Sequence, residues 1–196
     1  PFKFSGKGVE GGAQVGDQKL LFGANDGIFY AINIQTGLTE WTFPVQSEVL
    51  GEPRIAERIV YILSGDNVLH ALNVDTGQQV WTYNRMDSSQ FSIRGGSRPL
   101  VVDSLVYTGF SDGSFVALNK SNGSMVWEVN LNHNKRFRDV DSAPILDGDN
   151  IYVSSFDGAL YCLDKKTGSI RWRADDGGYS GALIKNNTVY YGTTNG

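Results

Sequence analysis

The sequence predicts an all-β protein, a β-propeller of four full four-stranded blades plus strands of a partial fifth. Three observations carry that prediction. A turn, strand, turn, strand unit ending in Trp recurs at Trp41, Trp81, Trp127 and Trp172, in steps of 40, 46 and 45 residues, which is the length of a propeller blade. The apolar runs alternate with period two and are rich in Val, Ile, Tyr and Phe, as half-buried strands are. Gly, Asn and Asp cluster between these runs every 8 to 12 residues, a spacing that suits hairpins and not helices.

The register is strict. From the third residue of the first turn (Gly27, Asn67, Gly113, Gly158) to the Trp is 14 residues in every copy, and Gly37, Gly77, Gly123 and Gly168 each lie 4 before it. Upstream of each unit two further strands join through a tight polar turn, as in Ile145-Leu146, Asp147-Gly148-Asp149-Asn150, Ile151-Tyr152-Val153. The blades therefore cover about residues 9–43, with a weak first strand around Gln14, then 51–83, 97–131 and 142–174. Residues 179–196 supply a first strand (180–184), a second (188–192) and the turn Thr194-Asn195-Gly196, while Phe2-Lys3-Phe4 reads as a lone outer strand. The whole chain, 1–196, is one propeller domain or a fragment of one. An open arc leaves exposed strand edges. Three arrangements close it: a piece of a larger ring, which is favoured; pairing of the N-terminal strand with the C-terminal pair; or self-association of two chains.

Composition narrows the function. At 196 residues, 40% hydrophobic and 12% aromatic, the chain can bury a substantial core. Its 17 Lys and Arg against 21 Asp and Glu give a net charge of -4, which opposes nucleic acid as the main partner. A single cysteine excludes an intrachain disulfide and a paired-cysteine zinc site. No apolar run approaches a membrane helix, and the first residues hold no secretory segment.

The repeated residues are best explained by structure. One Trp per blade at a constant place reads as packing between neighbouring blades. Asp26, Asp66, Asp112 and Asp157 sit in the repeated turn, where a carboxylate bonds the local backbone. Asp147 to Asn150 reads as a hairpin turn and not a calcium loop, because EF-hand spacing is absent. Cys162 stands where other copies have Ala31, Ala71 and Ala117, a small buried position. His70 aligns with Tyr30, Val116 and Tyr161 in a strand, and His133 lies in a loop; no nucleophile, base and orienting acid can be assembled from them.

Function is expected where the chain departs from its own pattern. The interval from each Trp to the third residue of the next turn is 26, 32, 31 and 24 residues, so two adjacent connections are overlong, at 84–96 and 131–141. Strands alternate in direction, so both loops emerge on one side with the Asp-Gly turns. Their content suits a protein partner: Phe91 and Ile93 are apolar, Arg94 and Arg98 offer bidentate donors, Asp139 and Asp141 are acceptors, and Arg136, Phe137 and Arg138 form a basic-aromatic tip.

The repeat resembles that of the pyrroloquinoline-quinone-type propellers over nearly the whole chain, with eight-bladed rings as the fuller form. Two stretches resemble the BamB family of propeller lipoproteins of the outer-membrane β-barrel assembly machinery. They are Phe91-Ser92-Ile93-Arg94-Gly95-Gly96-Ser97-Arg98-Pro99 and Arg138-Asp139-Val140-Asp141-Ser142-Ala143-Pro144. The first matches an apolar-Ser-apolar-Arg-Gly pattern followed by Ser and Pro, the second an Asp-Val-Asp followed by Pro; Phe91 stands where the family has Leu. The resemblance implies a non-enzymatic, cofactor-free scaffold, periplasmic and peripheral to the outer membrane. It also implies that Phe91, Ile93, Arg94, Asp139 and Asp141 hold a periplasmic domain of the barrel-inserting protein BamA, and that unfolded outer-membrane proteins are substrates to be guided. A family lipid would sit on an N-terminal cysteine, so Cys162 is not that anchor. Two other classes share the repeat. A quinone-dependent dehydrogenase usually shows adjacent cysteines, a calcium site and a much longer chain. Against an unfolded-protein sensor stand the Arg-Gly and Asp-Val-Asp loops.

Overall fold

Period-two patterning becomes four antiparallel meanders. The computed structural model describes residues 8–85, 96–132, 138–156, 159–176 and 181–193. Blade one is β1 (Ala13–Gly16), β2 (Lys19–Gly23), β3 (Ile28–Asn33) and β4 (Thr39–Pro44); blade two is β5 (Arg54–Ala56), β6 (Ile59–Ser64), β7 (Val68–Asn73) and β8 (Gln79–Asn84). Blade three is β9 (Leu100–Val102), β10 (Leu105–Gly109), β11 (Ser114–Asn119) and β12 (Met125–Asn130). Blade four is β13 (Ile145–Asp147), β14 (Asn150–Ser154), β15 (Leu160–Asp164) and β16 (Ile170–Ala174). A pair, β17 (Leu183–Lys185) and β18 (Thr188–Tyr190), begins a fifth blade. Phe2-Lys3-Phe4 and the final turn lie outside the described residues.

Each blade repeats one register. The third strand opposes the Trp with a small residue, in the pairs Ala31 with Trp41, Ala71 with Trp81, Ala117 with Trp127 and Cys162 with Trp172, and the ladder shifts immediately afterwards in all four. A bulge at a fixed place increases local twist, and only a small residue leaves room beside the indole.

The turns follow from their side chains. Asp26 Oδ1 accepts from the Ile28 amide at 3.1 Å and Asp112 Oδ1 from the Ser114 amide at 2.9 Å. Asp66 differs, accepting from the Ser64 hydroxyl at 2.5 Å while Asn67 takes the left-handed position at φ 63°. Asp157 is outside the described residues. Asp147 and Asn150 close the β13–β14 hairpin.

The chain divides into two compact units, Pro1–Met86 and Asp87–Gly196. In the first, Leu21, Phe29, Val45, Val49, Val60, Ile62 and Leu72 form the core, and the Trp41 indole donates to the Val74 carbonyl at 2.9 Å. In the second, Phe115, Trp127, Leu131, Val140, Ile151, Val153, Tyr161 and Leu163 do so, with the Trp127 indole donating to the Lys165 carbonyl at 3.2 Å. Each of these two Trp residues thus binds the turn of the following blade, and that turn needs glycine on two counts. Gly77 and Gly168 have φ 70° and 72°, and a Cβ there would lie 2.5 Å from the Trp41 ring and 2.6 Å from the Trp127 ring. A further cluster joins Tyr152, Leu160 and the buried Cys162 to Ile184 and Val189, so the β17–β18 pair packs on blade four.

Candidate protein-binding face

The loops at 84–96 and 131–141 begin at equivalent points. Where a fourth strand ends, the next amide donates to the third residue of its own blade's first turn: Val45 to Gly27 at 2.9 Å, Arg85 to Asn67 at 3.2 Å and Leu131 to Gly113 at 2.8 Å. Both long loops therefore start beside an Asp-Gly-type turn, as the strand directions require. Gly113 lies against the loop itself, since a Cβ on it would meet Asn132 Cβ at 2.6 Å and the Arg138 carbonyl at 3.3 Å.

The second loop returns to the core through Asp139 and Val140. The Val140 amide donates to the Phe110 carbonyl at 3.1 Å, and the Asp139 carbonyl accepts from the Phe156 amide at 3.1 Å, so this strap is bonded to blades three and four at once. Val140 is buried in the unit's main cluster, and Gly109 allows it: a Cβ at Gly109 would fall 2.2 Å from the Val140 carbonyl oxygen. The blade one to two connection uses the same device with fewer residues, with Val49 buried against Gly23 and the Gly65 amide donating to the Glu48 carbonyl at 2.8 Å.

The two loop bases in the second unit are joined. Ser97 Oγ donates to the Ser142 carbonyl at 3.2 Å, and Ser142 Oγ donates to the Ser154 carbonyl at 3.0 Å while accepting the Ser154 amide at 2.7 Å. Both serines are buried. Arg98 and Arg138 flank these anchors and are half-buried. Sequence reasoning passed over the serines, although each stands two residues before a proline (Ser97-Arg98-Pro99, Ser142-Ala143-Pro144).

The sequence places both aspartates on an exposed loop, but the structure separates them. Asp139 has 0% exposure because its backbone is held between Phe110 and Phe156. Asp141 is half-buried, and its carboxyl is pushed up to about 7, first by burial and then by the negative charge of Asp139. Phe91, Ile93, Arg94, His133, Arg136 and Phe137 lie outside the described residues. Of the sequence-predicted site residues, the structure thus describes Arg98, Arg138, Asp139 and Asp141. It brings the last three into one strap whose base is bonded to that of Arg98.

The family of the outer membrane protein assembly factor BamB matches residues 3–196. Among solved structures, BamB from Moraxella catarrhalis superposes with TM-score 0.88 at 24% identity, covering 97% of this chain and 60% of that one. Quinohemoprotein alcohol dehydrogenase from Comamonas testosteroni gives TM-score 0.73 at 16% identity, with 93% and 39% coverage. The computationally designed Ika4 protein gives 0.66 at 17% identity, with 84% and 95% coverage. Among curated proteins no sequence matches significantly. At these identities the structural likeness shows the fold, a β-propeller of quinoprotein-type repeats. The chain spans 60% of the length of the BamB structure it resembles.

Proposed function

The chain belongs to the BamB family of outer membrane protein assembly factors, and from that premise we propose that it is a non-enzymatic, protein-binding scaffold in β-barrel assembly. In this reading it works in the periplasm at the outer membrane and holds BamA periplasmic domains through loops 84–96 and 131–141. The observation that carries the reading is the strap at residues 138–142, an overlong loop whose root is fixed to two blades while Arg138 and Asp141 retain access to solvent. A rooted loop loses little conformational entropy when a partner docks. Phe91 and Ile93 would supply apolar contact, Arg94, Arg98 and Arg138 directional donors, and Asp141 an acceptor; buried Asp139 would shape the strap from behind. Unfolded outer-membrane proteins are the substrates this scaffold would help deliver.

Binding of BamA periplasmic domains to the purified protein tests the assignment. Arg94→Ala and Arg138→Ala should each weaken it by at least about tenfold, or about 1.4 kcal/mol. Loss from neither would remove the site while leaving the family intact. Cofactor absorbance and dye reduction on adding pyrroloquinoline quinone with calcium would overturn the non-enzymatic reading.

A further inference from the structure

A second feature lies within the first unit. A half-open cavity of about 260 Å³ sits between β4 and the β7–β8 hairpin, lined among others by Phe43, Val45, Asp66, His70, Gln79 and Thr82. His70 is 8% exposed, and neither ring nitrogen has a hydrogen-bond partner among the described residues. Burial lowers the imidazole's pKa, and the Gln79 side chain and the Asp66 charge offset that shift only in part. A neutral imidazole carries one donor and one acceptor. Leaving the acceptor nitrogen unmet in a polar cavity is a cost that a donor-bearing ligand would remove.

The protein's own repeat explains why the cavity exists. His70 pairs with Ile62 and Thr82, and Tyr161 occupies the same register in blade four, between Val153 and Arg173. There the longer phenol donates to the Leu131 carbonyl at 2.7 Å, and Leu131 is the counterpart of Val45. At the place of Thr82, blade four carries the Arg173 guanidinium, whose Nε donates to Asp175 at 2.8 Å. Blade four thus spans with a buried phenol the distance that blade two leaves open, while Arg173 reaches outward to Asp175.

We propose that this cavity binds the guanidinium group of an external ligand. Among the described residues lining it, Asp66 is the one carboxylate, with no Lys or Arg to oppose a cation. The Phe43 ring lies 5.3 Å from the His70 ring and offers a face for a planar cation, and the amide oxygen of Gln79 adds an acceptor. Guanidinium matches this set, having five donors in one plane and no acceptor. The group could come from a free small molecule or from an arginine in a protein segment. The site stands on geometry independent of the BamA assignment.

The test is titration of the whole chain with N-acetyl-arginine amide and with its neutral isostere N-acetyl-citrulline amide, read by calorimetry and by the His70 imidazole resonances, one of two histidines in the chain. The expected result is saturable binding of the arginine compound that shifts His70, at least tenfold weaker with citrulline, and several-fold weaker in Asp66→Asn. His70→Tyr and Thr82→Arg, which install the blade-four residues, should abolish it. Circular dichroism unchanged from the parent keeps both variants interpretable, and the exposed Thr82 position guards against a folding failure at His70. No saturation by about 10 mM, equal affinity for citrulline, or undiminished binding in both filled variants overturns the proposal. A Gly-Ser-Arg-Ser-Gly peptide binding more tightly than the capped amino acid identifies a protein segment as the source; equal affinity identifies a small molecule.

Discussion

Asp141 holds its proton into the neutral range because its carboxyl is half-buried and lies in the field of Asp139, which together raise it from 3.8 to about 7. The direction of the stability effect follows. Between these two values the folded protein binds a proton that the unfolded chain has released, so stability falls as pH rises through this window, and the loss is complete above about 7. A rise of that size sets an upper bound of about 4 kcal/mol on the loss. Asp141→Asn removes the titration while keeping the shape. The variant should match the parent at pH 4 and exceed it at pH 8, by about 1 to 4 kcal/mol in urea unfolding. A constant difference across that range would show that the burial at Asp141 does not act on its charge. Apart from its spacing to Pro144, nothing in the sequence distinguishes Asp139 from Asp141 in this respect. Both sit beside Val140 in a polar stretch, and only the bonds to Phe110 and Phe156 turn one inward.

Strands and turns were readable because their determinants are local. Period-two alternation, the Asp-Gly and Thr-Gly turns and the Trp register mark the strands, and among the described residues the predicted 180–184 and 188–192 strands correspond to Leu183–Lys185 and Thr188–Tyr190. The connecting straps were less readable, since a loop residue plugging a core looks in sequence like any other loop residue. Counting back 5 from Pro53 and Pro144 reaches Glu48 and Asp139, whose carbonyls accept the Gly65 and Phe156 amides, so this spacing marks the root of a strap. The cavity at His70 was illegible for a different reason, because it depends on a histidine being shorter than a tyrosine across from a neighbouring blade's strand. Gly109 tests the strap as an element. A Cβ there meets the Val140 carbonyl oxygen at 2.2 Å, so backbone has to move. Gly109→Ala should cost about 1 to 3 kcal/mol and speed hydrogen exchange of the Val140 amide, whose acceptor is Phe110. The Gly65 amide, which donates to the Glu48 carbonyl in the other unit, should keep its protection. Uniform loss at both amides would mean general destabilisation and no strap.

At the scale of the whole molecule, stability is a sum of blades and their nearest-neighbour contacts, as in other repeat proteins. The same residue type should therefore carry different weight according to what covers it. Trp127 is 9% exposed, roofed by the turn at Gly168 and bonded to the Lys165 carbonyl, whereas Trp172, at the same register in the next blade, is 42% exposed. Both rings rest on a tyrosine of their own blade, Tyr107 at 5.7 Å and Tyr152 at 5.8 Å, so the contrast lies in the covering and not in the support. Trp127→Ala should cost about 3 to 5 kcal/mol, the usual loss for a buried indole. Trp172→Ala should cost about 1 to 2 kcal/mol, because less apolar area returns to water. Urea midpoints at constant m separate the two. Equal costs would mean that Trp172 is covered in solution, and repeating the titration over a hundredfold range of protein concentration would then tell whether a second copy provides the cover, since only an intermolecular contact makes the midpoint concentration-dependent.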